Sequence, residues 1–128
     1  MLDLYNYQTF VDGVTSEGSK SNDVYMRTIA TLANEGLDVP RLSTASIGLS
    51  GEIGEFNDIV KKIFFQGKKY NEENKEKLKS ELGDIMWYWI QACIALKLDP
   101  YEVLKENISK LESRYPGGKF SAKKSEER

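Results

Sequence analysis

A chain of 128 residues, 40% apolar and 30% charged, has material for one domain with a real core and a well-hydrated surface. Its net charge of −2 gives no general attraction to nucleic acid or to an anionic membrane, and no run of about 18 apolar residues is present to span a bilayer. With no histidine and a single cysteine, Ser-His-Asp triads, His-containing zinc sites and intramolecular disulfides are excluded.

The N-terminus lacks a basic stretch followed by an apolar one, so no signal peptide is expected. Leu4, Tyr7, Val11 and Val14 recur at three- and four-residue steps and predict a short helix over Leu2–Val14. The small, polar segment TSEGSKSN (15–22) reads as a loop. A second helix starts after Ser21 or Asn22 and ends at Gly36, a suitable residue just past a helix end. Pro40 separates it from a long helix over 41–66, closed by Gly67, and KKYNEEN (68–74) reads as a polar link. Another long helix is expected over Glu76–Lys97, with Leu78, Leu82, Ile85, Trp89 and Cys93 on one apolar stripe. Cys93 is expected as a buried, inert thiol, and its solitude fits a reducing compartment. Asp99 as N-cap, Pro100 at the first helical position and Glu102 completing a capping box open a last helix that runs to about Arg114. From Pro116 the tail is rich in glycine and charge and is expected to be mobile. Five helical segments and no strand predict an all-α helical bundle, the short 68–74 link pairing the two long helices antiparallel.

Each long helix carries an acid pair: Glu52 and Glu55 in SGEIGEF, Glu81 and Asp84 in SELGDIM. Spacing of i, i+3 places both acids of a pair on one face. A lone acid pair on a helix is usually a solvated face. Here two pairs recur with the same spacing on the two most apolar helices. Glu81 lies beside Leu78, Leu82 and Ile85, and Glu52 and Glu55 bracket Ile53 and lead to Phe56. Partly buried like charges need a cation or raised pKa values. Oxygen ligands alone suit a hard divalent ion, Mg²⁺ foremost, which keeps waters for a phosphate substrate.

Gly48, Gly51, Gly54 and Gly83 lie inside these helices. Each costs about 1 kcal/mol relative to alanine, so together they cost roughly 4 kcal/mol. The expectation is that Gly51, Gly54 and Gly83, flanking the acids, let the backbones approach closely enough to bring the four carboxylates together. A cationic set accompanies them. Asn107, Lys110 and Arg114 share one face of the last helix, opposite Leu104, Ile108 and Leu111, and Lys62, seven residues after Glu55, shares the acid face. Such cations suit the non-bridging oxygens of a phosphate chain. Lys61 points elsewhere, toward solvent.

The segments SIGLSGEIGEFNDIVKK, KLKSELGDIMWYW and NISKLESRYPGGKF resemble the MazG-like nucleotide pyrophosphohydrolases of the all-α NTP pyrophosphatase superfamily. The resemblance covers roughly residues 41–121 and implies an all-α domain over 1–120 with a charged tail at 121–128. Its ExxE and ExxD motifs fall on Glu52, Glu55, Glu81 and Asp84. It implies that these acids bind Mg²⁺ (Mn²⁺ as a substitute) and orient or deprotonate the attacking water. It also implies that Lys62, Asn107, Lys110 and Arg114 contact phosphate or sugar. The implied reaction is hydrolysis of an NTP or dNTP to the monophosphate and pyrophosphate. Alternatives within the same fold are dUTP/dCTP-type, phosphoribosyl-ATP or alarmone substrates, and outside it in kind, a low-turnover nucleotide-sensing module. The partner implied is a small nucleotide, not nucleic acid or membrane, and the implied state is a cytoplasmic homodimer or homotetramer with sites near subunit contacts. Trp89 is expected in the core, and Trp87 or Tyr88 at a base pocket or an interface.

Overall fold

The fold is that of a computed structural model describing residues 3–127. Among these residues there are six α-helices and no strand: α1 Leu4–Gly13, α2 Asn22–Asn34, α3 Val39–Phe65, α4 Glu72–Ala95, α5 Pro100–Arg114 and α6 Ala122–Glu126, with a 3₁₀ turn at Glu17–Ser19. The all-α class is as the periodicity predicts. No helix among the described residues is long and apolar enough to cross a membrane. The chain divides into two compact units, one ending at Val39 and the other beginning at Pro40.

In the first unit, the Asp3 carboxylate caps α1 by accepting from the Tyr5 N–H at 2.9 Å. Lys20 Nζ donates to the Asp12 carbonyl at 2.9 Å and so ties the 15–21 segment back to α1. Ser21 caps α2 by accepting from the Val24 N–H. Gly36, at φ +98°, supplies the left-handed residue that ends it, with the Leu37 N–H returning to the Leu32 carbonyl at 3.1 Å. Of the predicted first helix, Leu2 lies outside the described residues.

The second unit holds the long helices. Pro40 does not precede α3 but sits in its first turn, where its missing N–H leaves no hydrogen bond unmade. Gly67, at φ +73°, closes α3, and the Lys68 N–H reaches back to the Lys62 carbonyl at 3.0 Å. α4 begins a full turn before the expected Glu76. Asn71 caps it by accepting from the Asn74 N–H at 2.9 Å, and the Asn74 amide donates to the Lys69 carbonyl at 2.6 Å. The last three residues of the expected link, Glu72–Asn74, are thus the first turn of α4. α5 opens on the predicted Asp99 and Pro100, with Asp99 accepting from the Tyr101 N–H at 2.9 Å, but Glu102 does not close the expected capping box: its carboxylate accepts from Lys105 Nζ at 3.3 Å. The tail beyond it is not featureless: Ser121 caps the short α6.

α3 and α4 pack antiparallel. Arg41 donates to the Gln91 side chain at 2.8 Å, and Gly48 lies under the Tyr88 ring. Glu52 and Glu55 meet Glu81 further along. Among the described residues the fully buried apolar set is small: Ala45, Cys93 and Ala95. The large apolar side chains stay open, including Leu82 and Met86 at 52% exposure, Trp87 at 55% and Ile108 at 55%.

Candidate metal centre

Glu52 and Glu55 are projected from successive turns of α3 toward α4, which presents Glu81 in return. Each of the three offers an oxygen within 4.8 Å of the others. Glu52 and Glu81 are partly buried and Glu55 is exposed. Asp84, one turn beyond Glu81, is exposed and stands outside this group. Its side chain is one methylene shorter than glutamate and reaches less far across the gap.

Glu52 Oε2 and Glu81 Oε2 are both buried with no hydrogen-bonding partner. Two carboxylates facing each other have only acceptors, so they bond only through a shared proton. The hydrogen bond that a protonated Glu81 donates to Glu52, then burial, then the charge of Glu55, push Glu81 up to about 7. A pair of orphaned buried oxygens beside a third carboxylate is a donor set for a hard divalent cation, which would take the place of the proton. The residues fit the ion.

The expected close approach at Gly51, Gly54 and Gly83 is not there. A Cβ at any of the three would meet nothing within 4 Å. At about 100° per residue, Gly54 is turned far from Glu52, and Gly83 equally far from Glu81, so neither faces the opposing helix. The close approach is at Gly48 instead, where a Cβ would lie within the Tyr88 ring. Tyr88 is thereby committed to the helix contact. Trp87 meets it edge-on at 4.9 Å and remains mostly exposed, while Trp89 is only partly buried.

Lys62 is engaged: its Nζ lies 2.8 Å from Asp58, and Lys61 Nζ lies 3.2 Å from the same carboxylate. Lys62 first and Lys61 second hold Asp58 below the usual carboxylate range. Lys61 therefore shares the partner of Lys62. Asp58 was legible as the next i, i+3 acid after Glu55 with a lysine four residues on. Asn107 and Lys110 are exposed on α5 and Arg114 is partly buried. On the opposite face, Leu104 and Ile108 are 50% and 55% exposed. An apolar cleft of about 330 Å³ lies at the end of α5 against Tyr115 and Phe120, and none of the four acids lines it.

The family model for the MazG nucleotide pyrophosphohydrolase domain matches residues 42–118, which contain both acid pairs. This chain belongs to that family. The Gene 37 protein of Mycobacterium phage L5 is 40% identical over 78 residues, covering 60% of this chain and 68% of that protein. No solved structure matches. The matched segment of this MazG-family chain starts in the first turn of α3 and ends just past α5, so it takes in the acid cluster and all the candidate cations.

Proposed function

We propose that this chain hydrolyses nucleoside triphosphates, NTP or dNTP, to the monophosphate and pyrophosphate. The observation that carries the reading is the meeting of Glu52, Glu55 and Glu81 with two buried oxygens left unpartnered, inside a MazG domain. The ion is Mg²⁺, with Mn²⁺ as a substitute, held by these three residues, and Asp84, which stands outside the group in the metal-free chain, joins them once the ion is bound. When bound it supplies charge neutralisation for the phosphates and lowers the pKa of a coordinated water. The chain's own residues do the rest. Glu55, the exposed member, accepts the proton of the attacking water, while Glu52 and Glu81 supply negative charge that holds the ion. Lys62 trades Asp58 for a phosphate oxygen when substrate arrives, and Asn107, Lys110 and Arg114 bind the remaining phosphate or sugar oxygens. Apolar surface left open on α4 and α5 supports a homodimer or homotetramer as the working form.

A panel of NTPs and dNTPs, with Mg²⁺ and purified protein, tests the reaction. Pyrophosphate release from at least one nucleotide is expected. Orthophosphate release, or no turnover with any nucleotide, would sink the proposal. Including dUTP, dCTP, phosphoribosyl-ATP and alarmone nucleotides identifies the substrate.

A further inference from the structure

We propose that Gly48 and Tyr88 form a spacer that sets the gap between Glu52 and Glu81, acting as positioning residues for the metal site. The inference rests on the metal-binding reading above and deepens it. Along α3, Gly48 lies one turn before Glu52. Along the antiparallel α4, Tyr88 lies two turns beyond Glu81. The Tyr88 ring occupies the volume that any side chain at position 48 would need. Trp87 packs edge-on against that ring at 4.9 Å. The buried small residues lie toward the same end of the helix pair, Ala45 on α3 and Cys93 and Ala95 on α4. The helices are thus held closest beside Gly48, and the acids sit just beyond that point.

A methyl group at position 48 would force either the rigid ring out of the contact or the helices apart. Either change moves Glu52 relative to Glu81. Hard divalent ions tolerate little of this, since their oxygen ligands must lie at about 2.0–2.1 Å for Mg²⁺. The glycines nearest the acids make a sharp contrast. Gly51 and Gly83 adjoin or nearly adjoin the acids in sequence but face open space, so alanine there leaves the gap as it is.

The test is Mn²⁺ titration of the full chain, followed by the paramagnetic signal of the free ion, with circular dichroism on the same samples. Gly48→Ala is expected to weaken Mn²⁺ binding about tenfold or more while helicity is kept, a loss typical of disturbed ligand support. Gly51→Ala and Gly83→Ala are expected to bind as wild type. Removing the ring should remove the conflict, so Gly48→Ala combined with Tyr88→Ala should bind as Tyr88→Ala alone does. Wild-type affinity in Gly48→Ala, or an equal loss in Gly51→Ala and Gly83→Ala, would overturn the spacer and leave the metal site standing. Absence of Mn²⁺ binding by wild type would overturn both. If Gly48→Ala does not fold, Tyr88→Ala reads the spacer from the other side: weaker binding supports it, unchanged binding contradicts it.

Discussion

Lowering the pH from 8 to 6 should make protons compete with the metal for one identifiable group. Glu81 is pushed up to about 7, chiefly by the hydrogen bond its protonated form makes to Glu52 and then by burial and the charge of Glu55. A carboxyl with that value holds about 0.9 proton at pH 6, 0.5 at pH 7 and 0.1 at pH 8. Divalent binding needs the carboxylate, so it should expel about those numbers of protons. Apparent affinity should then fall about tenfold between pH 8 and pH 6 from this group alone. Calorimetric titration of Mg²⁺ or Mn²⁺ in buffers of different ionisation enthalpy measures the proton count directly. Proton release that stays near zero at pH 6, or an affinity flat across the range, would rule out Glu81 as the group that competes with the metal. The sign for stability follows from the same shift. The folded metal-free chain holds this proton more tightly than the unfolded chain, whose value is 4.5. The stability that this group contributes is therefore fully present below about pH 4.5, is lost as pH rises from there through 7, and levels off above. Excess Mg²⁺ should remove that loss at pH 8.

Glu52→Gln should bind the metal poorly and turn over at about a hundredth of the wild-type rate or less, yet melt higher at pH 8 without metal because one facing charge is gone. Lys62→Ala should raise KM about tenfold with a smaller effect on kcat, the value of one charge-assisted hydrogen bond to phosphate, read from steady-state kinetics. Asn74→Ala leaves the Lys69 carbonyl without its donor at the start of α4. It should cost about 1–3 kcal/mol in urea denaturation while the activity of the folded enzyme is kept.

The helical order was legible because caps and stop glycines are local signals. Ser21, Gly36, Gly67, Asp99 and Pro100 all act where their chemistry places them. The start of α4 was not, since Asn74 is a polar residue whose burial depends on a carbonyl five positions back. The acid pairs were legible from i, i+3 spacing. Their reach was not: glutamate spans the gap between helices and Asp84 stays outside it. The helical glycines signalled close packing, but only rotation about the helix axis distinguishes Gly48, under Tyr88, from the three that face open space. Lys62 was legible as a cation on α3, but its partner in the structure is Asp58, four residues back in the same helix. Apolar stripes on α4 and α5 could be read, whereas what covers them could not, because a stripe does not name its partner.

The proposed cleavage lies between the α and β phosphates, at the acid cluster. Phosphorus NMR of the products, with wild type, Glu55→Gln and Asp84→Asn compared under Mg²⁺, tests it most directly. Pyrophosphate and nucleoside monophosphate should appear together with wild type and be lost in both variants, with helical circular dichroism unchanged. Nucleoside diphosphate with orthophosphate, or near-native turnover in Glu55→Gln, would contradict it.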